Sequence, residues 1–167
     1  MVRLRRLAIE DAAQLAKIAD NKKVWDNLRD YIPFPYQESD AVGFIEMVSA
    51  EAPHQTFGIV SEDGELCGVI GLAIQKDVYR LSAEIGYWIG EPYWGQGITT
   101  QALGLITSYG FEELGLERIY TSVFDFNIAS MKVLEKNGYT KEGVFRNAVI
   151  KNEVVCDEHR YCKLKND

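Results

Sequence analysis

Apolar residues recur along the chain with two periods, and the changes between them mark out the elements. Thr56–Val60, Leu66–Ile74, residues 83–89 and Arg118–Phe124 are short runs rich in β-branched, aromatic and other apolar residues, the pattern of strands. The first two are joined by Ser61-Glu62-Asp63-Gly64-Glu65, whose Asp-Gly pair predicts a hairpin turn. Further strands are predicted over residues 2–7, 139–150 and Val154–Leu164, the last two flanking the turn Lys151-Asn152-Glu153. Helical spacing appears over residues 10–20, where Ala12, Leu15, Ala16, Ile18 and Ala19 form one side, and again over a short piece, 24–28. Pro33 and Pro35 exclude regular helix from the segment that follows. Ser39 is the expected N-cap of a helix carrying Phe44, Ile45 and Val48. Residues 101–114 predict a long helix with Gly115 as its C-terminal cap, and Asn127 a helix that ends at Asn137-Gly138. The order predicts an α/β (α+β) fold: one mixed sheet of about seven strands flanked by helices, within a single domain spanning 1–167.

One turn carries more information than its neighbours. Tyr93-Trp94-Gly95-Gln96-Gly97-Ile98-Thr99-Thr100 leaves a strand and opens a helix. Such a turn gathers unpaired backbone N–H groups at the positive end of a helix dipole, and glycines let a ligand approach the backbone closely. A phosphate or pyrophosphate is the simplest ligand for it.

Composition narrows the partners. Net charge is −7, from 18 Lys and Arg against 25 Asp and Glu, and no basic stripe suggests a nucleic-acid surface. No apolar run approaches the ~20 residues needed to cross a bilayer, so no membrane partner is expected. The basic residues near the start lack a following apolar stretch, which argues against export. Cys67, Cys156 and Cys162 form no metal-like spacing, and with only two histidines a metal site is not expected. Reduced thiols and a cytoplasmic location are the expectation.

The second half resembles the GNAT superfamily of acyl-CoA-dependent N-acetyltransferases, and in particular its RimJ/RimL-like branch of ribosomal-protein N-terminal acetyltransferases. The strongest carriers are Ala83-Glu84-Ile85-Gly86-Tyr87-Trp88-Ile89, the turn from Trp94 to Ala102, Asn127-Ile128-Ala129-Ser130 and Leu134-Glu135-Lys136-Asn137-Gly138-Tyr139. Asn27-Leu28-Arg29, Pro33-Phe34-Pro35-Tyr36 and Glu142-Gly143-Val144-Phe145-Arg146 add support. The resemblance implies acetyl-CoA as donor, with Gly95, Gln96, Gly97, Ile98, Thr99 and Thr100 cradling its pyrophosphate. Gly97 takes the central glycine of the superfamily's Q/R-x-x-G-x-G/A signature. Trp94 and Thr99 depart from it. Tyr87, Trp88 and Ile89 match the segment whose backbone pairs with the pantetheine arm, and Asn127 matches a second pantetheine contact. A homodimer is common among relatives.

Transfer from a thioester to an amine requires a neutral amine, a stabilised oxyanion and a protonated leaving thiolate. Glu84 is the candidate base. A carboxylate on a central strand is costly unless paired, hydrated or functional, and its structural alternative is an ion pair with Arg118 or Arg146. Ser130, three residues after the capping Asn127, is the candidate proton source for the thiolate; its alternative role is to support the helix's first turn. Many superfamily members carry a tyrosine seven residues after that asparagine, but here the position is Leu134. His54 is expected on a surface loop, and Tyr31, Phe34 and Tyr36 either wall the acceptor site or pack the proline-rich loop. The acceptor is expected to be an amine, either a peptide N-terminus or a small molecule such as a polyamine, an aminoglycoside or an amino-acid derivative. A non-catalytic acyl-CoA-binding module is the rival from another class.

Overall fold

The computed structural model describes residues 1–167. Its strands are β1 (Arg3–Arg5), β2 (Thr56–Val60), β3 (Leu66–Ile74), β4 (Ser82–Ile89), β5 (Arg118–Phe124), β6 (Thr140–Lys151) and β7 (Val154–Leu164). They form one sheet in the order β1-β2-β3-β4-β5-β7-β6. All neighbours are antiparallel except β4 and β5, which are parallel. The helices are α1 (Ala12–Ala19), α2 (Lys22–Trp25), α3 (Glu38–Ser49), α4 (Ile98–Glu112) and α5 (Ile128–Lys136).

Alternation along the strands separates two cores. On one face, α4 and α5 pack over the centre of the sheet: Leu103, Ile106 and Leu134 meet Ile70, Leu72, Ile85 and Ile119, all fully or almost fully buried. On the other, Leu15 of α1 and Ala41, Ile45 and Val48 of α3 pack over Val60, Leu66 and Val69, with Trp88 at their margin. That second core takes no residue from β5, β6 or β7. The α1–α3 core therefore leaves the face of those three strands opposite α4 and α5 uncovered, and β6 is exposed along nearly its whole length until Lys151, which packs on Trp25 of α2 and pairs with Asp30.

Several boundaries differ from the sequence expectation. Ser39 lies inside α3, whose N-cap is Gln37; the Asp40 carboxylate accepts from the Gln37 N–H at 2.8 Å. The first strand is only Arg3–Arg5, and a short 3-10 turn over Ile9–Asp11 precedes α1. The long helix starts at Ile98 rather than at Gln101, so Ile98, Thr99 and Thr100 form its first turn. Gly115 takes the left-handed conformation (φ 68°) past its end, as expected.

Candidate active site

β4 and β5 pair at only three positions, Ser82 with Arg118, Ala83 with Ile119 and Glu84 with Tyr120. Beyond Glu84 the strands part. Residues 85–89 keep their bonds to β3, while β5 keeps its bonds to β7 through Phe124. Each strand thus turns a backbone edge toward the gap, the kind of edge with which an extended ligand can pair. Gly68 on β3 helps to open it. The β4 backbone presses so closely on this residue that a Cβ there would lie 2.2 Å from the Trp88 carbonyl oxygen. Glycine lets β4 lean onto β3, away from β5.

The loop leaving β4 closes the wide end of the gap. Its 3-10 turn, Glu91–Tyr93, leads to Gly95 and Gly97, both at φ 73°, and a Cβ on either would meet nothing within 4 Å. Gln101 donates the first intrahelical bond of α4, to the Gly97 carbonyl (3.2 Å). The N–H groups of Ile98, Thr99 and Thr100 therefore belong to the unpaired first turn of a 15-residue helix, a favourable place for an anion. The Trp94 indole donates to the Ile89 carbonyl (2.9 Å) and the Gln96 amide to the Pro92 carbonyl (3.0 Å), so both side chains brace the loop from within. Nothing in the structure explains a threonine at 99.

Across the gap, the Asn127 side chain caps α5 by accepting from the Ser130 N–H (3.3 Å). The Ser130 hydroxyl lies 2.7 Å from the phenol oxygen of Tyr87. Tyr87 points with Ile85 and Ile89 toward the α4–α5 core, and burial pushes its phenol up to about 12, against a smaller opposing effect of the Ser130 bond. Leu134 is fully buried in that core, so its position offers no proton donor.

Glu84 faces the other way, at the last paired position before the gap opens, with its side chain 28% exposed. Its partner is Arg29, from the loop after α2, and neither Arg118 nor Arg146. Arg118 is committed to Glu142, which raises the arginine's pKa and lowers the carboxylate's. Beside Glu84, the Tyr120 phenol is raised first by burial and then by that carboxylate. The guanidinium of Arg160 lies over both Tyr120 and Phe145 on the open face. His54 is buried rather than on the surface. It is 6% exposed and set edge-on to Phe57; neither ring nitrogen makes a hydrogen bond, although Nδ1 lies 3.9 Å from the Glu51 carboxylate. It lies two residues before β2, which is separated from β4 by β3, and its carbonyl accepts from the Tyr109 hydroxyl of α4 (2.7 Å).

The arrangement joins an anion cradle, a slot with backbone edges, and polar groups on both sides of that slot. A model of the acetyltransferase (GNAT) domain matches residues 2–140. The chain belongs to the GNAT family of acetyltransferases. Over 97% of its length it is 33% identical to the uncharacterized N-acetyltransferase YoaA of Bacillus subtilis, covering 92% of that protein. It is also 33% identical to the ribosomal-protein-serine acetyltransferase of Escherichia coli, over 65% of this chain and 59% of that one. Among solved structures, Mycobacterium smegmatis RimJ in complex with CoA-disulfide superposes with a TM-score of 0.85 at 25% identity, covering 98% of this chain and 81% of that one. The protein is an N-acetyltransferase of this family, acetyl-CoA is its donor, and the open cradle at Gly95 and Gly97 suits a pyrophosphate. No group of His, Cys, Asp and Glu residues is placed to hold a metal ion, and no helix is long and apolar enough to cross a membrane.

Sequence reasoning missed three features of this arrangement. Arg29 lies within a segment already noted for its resemblance, but its pairing with Glu84 spans 55 residues. The Tyr87 hydroxyl lies in a segment whose resemblance points to its backbone, and its contact with Ser130 spans 43 residues. Gly68 had a usable signal, since a lone glycine within a strand pattern marks close backbone approach.

Proposed function

We propose that this acetyltransferase modifies the N-terminal amine of a peptide or protein, with Glu84 as general base and Ser130 as proton source for the leaving thiolate. The observation that carries the acceptor reading is the open face of β5, β7 and β6, where no helix covers Arg118, Tyr120, Arg160 and Phe145. A long open surface beside Glu84 accommodates an extended chain, whereas a small polyamine would gain little burial there. The similarity to the ribosomal-protein-serine acetyltransferase of Escherichia coli supports the same reading.

In this reading the pyrophosphate of acetyl-CoA rests on the N–H groups of residues 95–100. Its pantetheine arm lies along Tyr87, Trp88 and Ile89, with Asn127 as a further contact. The acetyl group then arrives near the apex of the gap, between Glu84 on one face and Ser130 on the other. The acceptor ammonium loses one proton through water to Glu84. Its nitrogen attacks the thioester carbonyl carbon, the C–N bond forms, and the C–S bond breaks with its electron pair passing to sulfur. Nitrogen gives its second proton to solvent, sulfur takes one from Ser130, solvent restores Ser130, and Glu84 returns its proton to solvent, so one proton is released per turnover. Positioning and these two proton transfers are what the protein contributes.

The test is mass spectrometry after incubation with acetyl-CoA and a panel: peptides beginning with Ser, Ala or Thr, each beside its N-terminally blocked form, and spermidine. Acetylation of free peptide termini is expected. Modification of spermidine alone would overturn the acceptor assignment. Glu84→Gln should lower kcat by roughly 10²–10⁴-fold, the usual contribution of a general base. An unchanged kcat and pH–rate profile would remove Glu84 from that role.

A further inference from the structure

The Tyr87 phenol and the Ser130 hydroxyl meet at 2.7 Å across the gap, joining β4 to the first turn of α5. The two residues are 43 positions apart, and this contact is formed only by the fold. Tyr87 packs against the main core while staying partly accessible at the slot. Ser130 is fixed from its other side by the Asn127 cap on its own N–H.

A hydroxyl has one proton. If Ser130 donates it to Tyr87, none remains for the sulfur. Either oxygen can donate; a phenol is the stronger donor and an aliphatic hydroxyl the better acceptor, which favours a bond from the Tyr87 O–H to the Ser130 Oγ. Ser130 then has its own proton free to point into the gap, and the phenol stabilises the charge that develops on Oγ as the proton leaves. The phenol, pushed up to about 12, holds its proton at any ordinary pH and serves as a fixed donor without joining the transfer.

We infer that Tyr87 is a positioning residue for the reaction: its side-chain hydroxyl orients Ser130 so that the serine proton is directed at the thiolate of CoA. This rests on the assignment of Ser130 above and extends it to a residue whose expected contribution was its backbone. A purely structural alternative is a strut that sets the width of the gap. The two differ in what they change, since a strut alters cofactor affinity and stability, whereas an orienting donor alters turnover and acts only through Ser130.

The experiment is a double-mutant cycle with Tyr87→Phe and Ser130→Ala, using acetyl-CoA and the fastest acceptor peptide, with thermal midpoints measured alongside. Phenylalanine keeps the ring and its packing. Tyr87→Phe should lower kcat about 10- to 100-fold, the range for losing a hydrogen bond to a group that becomes charged. The KM for acetyl-CoA should stay within about twofold, because the backbone contacts are untouched. In the Ser130→Ala background the same change should have no further effect on kcat. The inference is overturned if Tyr87→Phe turns over like wild type, if it mainly raises KM, or if it slows Ser130→Ala by the factor seen in wild type. Wild-type turnover in Ser130→Ala would instead remove the serine assignment itself, and so separates that failure from this one.

Discussion

Gly68→Ala places a methyl group where β3 has no room for one. On the native backbone the new Cβ would lie 2.2 Å from the Trp88 carbonyl oxygen, 2.8 Å from the Ile89 Cα and 3.1 Å from the Trp88 carbonyl carbon. All three are backbone atoms, so no side-chain rotation relieves them. Reaching ordinary contact distance requires a displacement of about 1 Å. Overpacking of this kind costs roughly 1–3 kcal/mol, and contact with three backbone atoms argues for the upper end. For a chain of this size, about 3 kcal/mol corresponds to a fall in Tm of roughly 6–12 °C. Because Gly68 pairs with Ile89, the β4 segment bordering the gap must move. Displacement toward β5 narrows the slot, and CoA affinity should fall along with stability. Gly43→Ala is the control. It sits within α3 with nothing inside 4 Å of the new Cβ, and should stabilise by up to ~1 kcal/mol. Thermal melts with and without CoA measure both effects. A Gly68→Ala protein that melts within about 1 °C of wild type and binds CoA equally well would refute the account of how the gap is held open.

Two further predictions concern the cradle and the buried phenols. Gly97→Ala forces a non-glycine residue to φ 73°, costing about 1–2 kcal/mol; its larger effect should be loss of most of the CoA-induced thermal shift, and a full shift would exclude this loop as the pyrophosphate site. In the folded protein the Tyr87 phenol is pushed up to about 12 by burial, against about 10 for an exposed phenol. The unfolded chain therefore releases that proton first, and its stabilising contribution is lost as pH rises between these values. The urea midpoint should accordingly fall over this range, more gently in Tyr87→Phe than in wild type; equal slopes would refute the assignment.

Local signals predicted most of the fold, and long-range ones did not. β2, β3, β5 and β7 match their expected limits because each apolar or alternating run meets a polar residue at both ends. The start of α4 was placed three residues late. Ile98, Thr99 and Thr100 are all β-branched and weak helix formers, so their own propensity gives no signal of the helix's first turn. The cap of α3 was misplaced because a polar side chain reaching back from Asp40 serves as well as a serine hydroxyl. His54 is expected on a surface loop, yet the fold buries it edge-on to Phe57. At the site, the glycine turn that opens α4 and the Asn127 cap of α5 could be read from local motifs. The separation of β4 from β5, the Glu84–Arg29 pair and the Tyr87–Ser130 bond could not, since each depends on register or on contacts between distant segments.

Hydrogen exchange with and without CoA tests the central claim most directly, because it reports which backbone amides the donor covers. The account predicts slower exchange in two separated segments, residues 85–89 along the gap and 95–100 at the start of α4, with little change in α1 and α3. Unchanged exchange in both segments, or protection concentrated elsewhere on the sheet, would contradict it.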